Sequence, residues 1–322
     1  MKTPVPIPKD VERMATRAAF GKALAHFAEQ YPRVVCYDAD LSKSTQTHLF
    51  AQKYPERFFQ MGIQEANMVG AAAGISFTGK IPFACSFAAF LTGRYDQIRM
   101  SVGYSQANVK LVGTHCGVGI GEDGHSQMGL EDIALMRAVP GMSVLQPSTP
   151  TECRQMVEWA ILHRGPVYLR LTRQGLADLP LPPFKAPGHF PLVKEGRGKA
   201  FLAVGALLEP ALEAAVVLEE QGHSRPAVFN ASSAKPLDDG VMEKLCDRFQ
   251  ELYVFEDHSV LGGTGSALAE WASEKANPPV RVVRYGVQDV FGESGTPKAL
   301  YEKHGFTSRA IVSFLRDFPT LS

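Results

Sequence analysis

The sequence predicts an α/β protein made of two consecutive three-layer α/β domains, each on a mostly parallel sheet. Two observations carry this. Short apolar runs of strand length alternate with longer segments of helical character, the pattern that lays helices over a parallel sheet. The alternation is interrupted once, near residues 178–198, by a proline-rich stretch without any period.

In the first half, RVVCYD (33–38), VKLVGT (109–114), MSVLQP (142–147) and VYLRLT (167–172) read as buried strands. Helical segments at 14–30, 64–78, 88–104 and 149–163 accompany them. The stretch DLPLPPFKAPGHFPLVKEGRG then gathers proline and reads as a linker. A second series follows, with strands FLAVG (201–205), PAVFN (226–230), ELYVFE (251–256) and VRVVRYG (280–286), and helices at 209–221, 238–248, 263–275 and 307–317. The expected boundaries are 1–180 for the first domain, 181–199 for the linker and 200–322 for the second. There is no internal repeat and no low-complexity tract.

The 322 residues are 45% hydrophobic, enough for two cores, and Lys+Arg and Asp+Glu both total 33. With no net charge and no basic run, nothing points to nucleic acid or a membrane surface. Cys36, Cys85, Cys116, Cys153 and Cys246 lie far apart without a CxxC pair, so neither a disulfide framework nor a zinc site is expected. No apolar run reaches the roughly 18 residues of a membrane span, and MKTPVPIPKDVERMATRAAF lacks a signal-peptide core. The expected location is the cytoplasm.

One carboxylate stands out: Glu65, in the apolar helical run GIQEANMVGAAAGISFTG (62–79), flanked by Met61, Ile63, Met68 and Val69. Taken alone, it is more simply a helix-start glutamate interacting with the dipole. CSFAAFLTGRYDQIRM (85–100) puts Phe87 and Phe90 three apart at a helix entry, both on one face, which alone suggests two core rings. In GTHCGVGIGEDGHSQMGLED (113–132), Gly119 to Gly124 matches GxGxxG after a strand. A dinucleotide site also needs a helix opening in that loop and an acidic residue about 20 positions on, and here the next strand ends in Gln146. FEDHSVLGGTGSALAEW (255–271) sets a glycine-rich turn before a helix, read as structural rather than anion-binding.

Over these stretches the chain resembles transketolases, specifically their pyrimidine-binding and C-terminal domains. The resemblance runs from Arg17 to about residue 315 and is most specific over 58–147. It implies dependence on thiamine diphosphate, whose 4′-amino group removes the C2 proton once a carboxyl group at pyrimidine N1′ drives the ring to its imino tautomer. Glu65 matches that carboxyl, and the task suits a glutamate sunk among apolar neighbours. Phe87 and Phe90 match the aromatics that sandwich the pyrimidine, while a third pocket position is Gly93, leaving the outer wall thinner or supplied by Tyr95. Asp123, in the GEDG loop, matches the aspartate that bonds a hydroxyl of the sugar donor. Transketolases continue that loop Pro-Thr-His or Pro-Ser-Gln; this chain has His125-Ser126-Gln127, so Gln127 takes the substrate-contacting place and His125 replaces a proline.

Arg17, Ser44, His115 and Arg173 fall where transketolases grip the terminal phosphate of the sugar, and guanidinium forks with a histidine donor suit a dianion. Each is bland alone. Asp40 matches a residue near the cofactor and the subunit contact. The family's GDG motif and following asparagine, which hold the diphosphate and a Mg2+ (or Ca2+) ion, do not occur in this sequence. The resemblance therefore implies that an N-terminal partner subunit supplies them, in an α2β2 assembly acting on sugar phosphates, and that this chain holds no metal of its own.

The leading expectation is the C-terminal subunit of a split transketolase that moves a two-carbon ketol unit. The β subunit of a 2-oxoacid dehydrogenase has similar length and domains, but the GEDG loop, Arg173 and the phosphate-gripping set argue against it. Deoxyxylulose-phosphate synthase normally keeps its diphosphate domain attached. A non-catalytic scaffold would need neither Glu65 nor Asp123.

Overall fold

The computed structural model describes residues 11–277 and 280–317. In the first half its strands are β1 (Arg13–Ala15), β2 (Val34–Asp38), β3 (Phe58–Gln60), β4 (Ile81–Phe87), β5 (Lys110–Thr114), β6 (Ser143–Leu145), β7 (Val167–Arg170) and β8 (Gly175–Ala177). Then come β9 (Leu192–Lys194), β10 (Lys199–Ala203), β11 (Ala227–Asn230), β12 (Ser233–Lys235), β13 (Glu251–Ser259) and β14 (Arg281–Val287). The first sheet has the order β12-β6-β7-β5-β4-β2-β3 and the second β14-β13-β10-β11-β9, while β1 and β8 form a two-stranded ribbon. Both large sheets are parallel except at one edge, where β12 runs antiparallel to β6 and β9 antiparallel to β11. Every residue of β2, β4, β5 and β7 is buried, as strands covered on both faces require.

Helices close the layers. Pro150–Leu162 starts on Thr149, whose hydroxyl accepts the Glu152 amide at 3.1 Å, with proline at the first helical position. It packs against Thr16–Gln30 on one face of the first sheet. Among the described residues no helix is long and apolar enough to cross a membrane. All five cysteines are buried and free.

Four differences from the sequence reading have local causes. IPFACSF forms β4, next to the centre of the first sheet, although it reads as the lead into a helix; its burial on both faces removes the alternation that marks a half-exposed strand. The expected helix 88–104 is broken at Gly93 and Arg94 into Ala88–Thr92, Tyr95–Gln97 and a π-helical Ile98–Tyr104. The proline-rich stretch contains β9, and Pro191 O just ahead of it accepts the Asn230 amide. Ser233–Lys235, from the second half of the chain, extends the first sheet as β12. A three-residue strand carries too few positions for a period to be read.

The two sheets are tied by one buried cation. Arg170, at the end of β7, directs Nε to both carboxylate oxygens of Asp132 at 2.9 and 3.1 Å, and Nη1 to Asp257 Oδ1 on β13 at 2.7 Å. Its Nη2 reaches Gly129 O at 2.9 Å and Asp257 O at 3.2 Å. Burial alone pushes the Asp132 carboxyl up; Arg170, His258 and the Tyr168 hydroxyl at 2.7 Å outweigh it, so the net shift is downward. His258 is held neutral by burial, its pKa down to about 4, with Nε2 accepting the Ile133 amide and Nδ1 facing Ser259 O.

Replacing Arg170 by Met strands two buried carboxylates, so a loss of about 3–5 kcal/mol is expected in urea unfolding followed by far-UV circular dichroism. A loss below about 1 kcal/mol, the scale of an exposed pair, would mean that the cation does not join the sheets.

Candidate functional site

The residues singled out from the sequence collect at the carboxyl ends of β2, β4, β5 and β7, the end of a parallel sheet where ligands bind. After β2 the chain turns through 38–47 around a buried aspartate. Asp38 accepts from the Leu41 amide at 2.6 Å and from the hydroxyls of Thr45 and Thr47 at 2.6 and 2.8 Å. Burial raises its pKa, and those hydrogen bonds pull it back. The turn carries Asp40, exposed at a φ of 65°, with its amide donated to Gln60 Oε1 at 2.7 Å. It also carries Ser44, whose carbonyl accepts from Arg17 Nη1 at 2.5 Å.

Glu65 opens the helix Glu65–Ser76 and is 5% exposed. Ser86, inside β4, donates its hydroxyl to Glu65 Oε1 at 3.0 Å, and among the described residues Oε2 takes no hydrogen bond. Met68 and Val69 are fully buried behind it, but Ile63, expected as part of the apolar surround, is 78% exposed. Phe87 ends β4 and Phe90 sits in the next helical turn. Their rings stack on each other with centroids 5.2 Å apart and 14° between planes, rather than standing on two sides of a slot; Phe87 is buried and Phe90 half-buried. The other face of Phe87 is covered by His115, at 3.7 Å.

His115 is buried at a φ of 60°, a left-handed conformation that costs a non-glycine residue on the order of 1–3 kcal/mol and is found mostly at functional sites. Its Nδ1 lies 2.8 Å from the Thr114 hydroxyl. Burial, then the charges of Arg17 and Arg173, lower its pKa to about 3, so the ring is neutral at neutral pH. Arg17 is lowered too, by burial and by Arg173. Arg173 donates to Ile120 O and lies 3.5 Å from Asp123 and 3.7 Å from Glu122. Arg17, Ser44, His115, Arg173 and Asp123 thus form one cluster, joined to the aromatic wall through the His115–Phe87 stack. Gln127 is half-buried in the turn His125–Gln127, and among the described residues its side chain makes no hydrogen bond to that cluster.

Sequence reasoning missed the supports. Ser86 fixes Glu65, Thr114 orients His115, Asp38 shapes the turn under Ser44, and Gln60 holds Asp40. Single polar residues inside buried apolar runs, as in IPFACSF, are the signal that marks them. The glycine-rich turn before Thr264–Lys275 is already filled: buried Glu256 accepts from the Thr264 and Gly265 amides at 2.7 and 2.9 Å, and burial holds its pKa up at about 7.

Two parallel sheets in series, with a buried carboxylate and a cationic cluster at the strand ends of the first, define the transketolase architecture. Residues 12–178 match the family described as transketolase, pyrimidine binding domain, and residues 188–311 the transketolase C-terminal domain. The chain belongs to the transketolase family and corresponds to its C-terminal part. It is 38% identical over 301 residues to a putative transketolase C-terminal section of Methanocaldococcus jannaschii, covering 92% of this chain and 93% of that one. A 6-deoxy-6-sulfo-D-fructose transketolase subunit of Clostridium sp. is 37% identical over 310 residues, with 95% of each covered. A solved structure described as a split gene transketolase, inactive β4 tetramer, superposes with a TM-score of 0.86 at 44% identity, covering 94% of this chain and 97% of that one.

His115 is expected to stay neutral on acidification until about pH 3, visible as the absence of an imidazole shift in an NMR titration. An unfolded histidine takes its proton near pH 6.5. The stability His115 contributes is therefore complete above about 6.5 and lost progressively toward 3. An ordinary titration near 6.5 would show that the ring is not held between the two arginines.

Proposed function

We propose that this chain is the C-terminal subunit of a split transketolase and transfers a two-carbon ketol unit between phosphorylated sugars, using thiamine diphosphate. The observation that carries the reading is Glu65: a buried carboxylate with one oxygen fixed by Ser86 and, among the described residues, no hydrogen bond on the other, on the strand-end side that also carries the stacked Phe87–Phe90 pair with Phe90 half-buried. That arrangement fits a pyrimidine ring, with Glu65 Oε2 as its partner at N1′ and Phe90 against its plane. Thiamine diphosphate, when bound, supplies the nucleophilic carbon that carries the ketol unit. Glu65 holds the proton at N1′, Arg17 and Arg173 attract the sugar's dianion, and neutral His115 offers an N–H without adding a third charge. Asp123 is the acceptor for a donor hydroxyl, and Gln127 and Asp40 complete the rim.

A partner carrying the diphosphate-binding domain supplies the anchor for the diphosphate and for Mg2+ or Ca2+, in an α2β2 assembly in the cytoplasm. Support comes from the missing GDG motif and from the split-gene neighbour, whose tetramer of β chains is described as inactive. The sulfosugar named for the Clostridium relative makes a sulfonate a reasonable alternative headgroup for the same cations.

Reconstitution tests the reading directly. The chain alone should transfer no ketol unit, and mixing with a diphosphate-domain subunit should restore transfer from a phosphorylated ketose; turnover by the isolated chain would reject it. In the assembly, Glu65→Gln keeps the shape and removes the acid, so kcat should fall by about 10²–10⁴, with cofactor affinity changing less. Near-normal turnover would return Glu65 to a helix-start role. Arg173→Ala should weaken use of phosphorylated acceptors by roughly 1.5–3 kcal/mol, the scale of a charged hydrogen bond, and leave unphosphorylated ones nearly unchanged. Because Arg173 also holds Ile120 O, equal losses on both acceptors would mean that it serves the loop alone.

A further inference from the structure

The second half of the chain reaches across to the GEDG loop. His125 Nδ1 accepts a hydrogen bond from the Gly292 amide at 3.0 Å, and its ring leans on Phe291 with centroids 4.5 Å apart. The backbones fit closely. A Cβ at Gly124 would lie 2.5 Å from Ser294 Oγ, one at Gly121 would lie 3.0 Å from Pro297, and one at Gly292 would collide with Met128 Sδ. From the opposite side Arg173 holds Ile120 O. Phe291 itself is 83% exposed, so core burial does not account for it; its contact is with His125.

Gly121 and Gly124 both have positive φ, at 86° and 77°, which gives the loop bends that other residues adopt only with strain. A proline after the second glycine would restrict such a loop by locking its own φ. This chain has His125 there, and the restriction is replaced by a hydrogen bond and a ring contact from residues 291–292. Asp123 and Gln127 lie two positions either side of His125.

We infer that Phe291 and Gly292, acting through His125, are positioning residues that set where Asp123 and Gln127 stand toward the sugar, so that the second half of the chain takes part in donor selection. The inference rests on the transketolase reading. It predicts that KM changes more than kcat, since the residues touch the loop and not the reacting atoms.

The test uses the assembly with the diphosphate-domain subunit and a phosphorylated ketose donor. Phe291→Ala and His125→Ala should each raise KM about 3–10-fold with kcat within about twofold, and the double variant should be no worse than the poorer single one. Asparagine places Oδ1 near the position of Nδ1 and keeps an acceptor for the Gly292 amide but not the ring contact, so His125→Asn should recover only the part of the His125→Ala loss that belongs to that hydrogen bond and behave like Phe291→Ala. An unchanged KM in Phe291→Ala, additive losses, or a His125→Asn variant poorer than His125→Ala would overturn this positioning role while leaving the reaction in place. If the wild-type assembly transfers no ketol unit, the functional reading fails and the sugar-facing role fails with it. Amide hydrogen exchange over residues 121–128 then decides the mechanical part: faster exchange in Phe291→Ala supports a hold on the loop, and equal exchange removes it.

Discussion

A single buried guanidinium, Arg170, sets the relation between the two sheets. It is shared by Asp132, beyond the GEDG loop, and Asp257 on β13, and it also binds the carbonyl of Gly129. Buried ion pairs add little net stability over a well-packed apolar core, because desolvation offsets most of the attraction. What they impose is geometry, since any arrangement that separates the partners leaves a bare charge in the interior. Arg170 stands three residues before Arg173, and Gly129 closes the loop that presents Asp123 and Gln127. The same cation that joins the two sheets therefore stands close in sequence to Arg173 and holds the backbone just after the loop that carries Asp123 and Gln127.

In the cluster of Arg17, His115 and Arg173, charge and burial act together on the histidine. Two arginines face a histidine that burial and their own repulsion keep neutral. A protonated ring there would put a third positive charge beside the two arginines. The strained backbone of His115 is the cost of that placement, and the stack on Phe87 supports it. Each arginine also holds a backbone carbonyl, of Ser44 or of Ile120.

Legibility in the sequence followed the range of the interactions. The α/β class and most strands and helices could be read, because burial on two faces leaves apolar runs that survive in a linear chain. β4 merged into the following helix because both are apolar and adjoin without a turn signal. β9 and β12 could not be read at all: each is three residues long and is a strand only because β11 or β6 lies beside it. The resemblance named Glu65, Phe87, Phe90, Asp40 and the Arg17 cluster, and the structure brings Arg17, Ser44, His115, Arg173 and Asp123 together. It did not reveal Ser86 or Thr114, whose roles are matters of distance rather than residue type. The Arg170 network was equally hidden, since its partners are 38 and 87 residues away.

The strand that crosses between the halves also bears on how this chain can be divided. β12 belongs by sequence to the second half and by hydrogen bonding to the first, where it covers the β6 edge. A cut in the proline-rich stretch would leave two pieces already interleaved, able to stay together as a nicked protein. Expressing the first piece alone would uncover β6 as a bare template for self-pairing. In such an architecture a break inside the chain yields fragments that must find each other before either is protected.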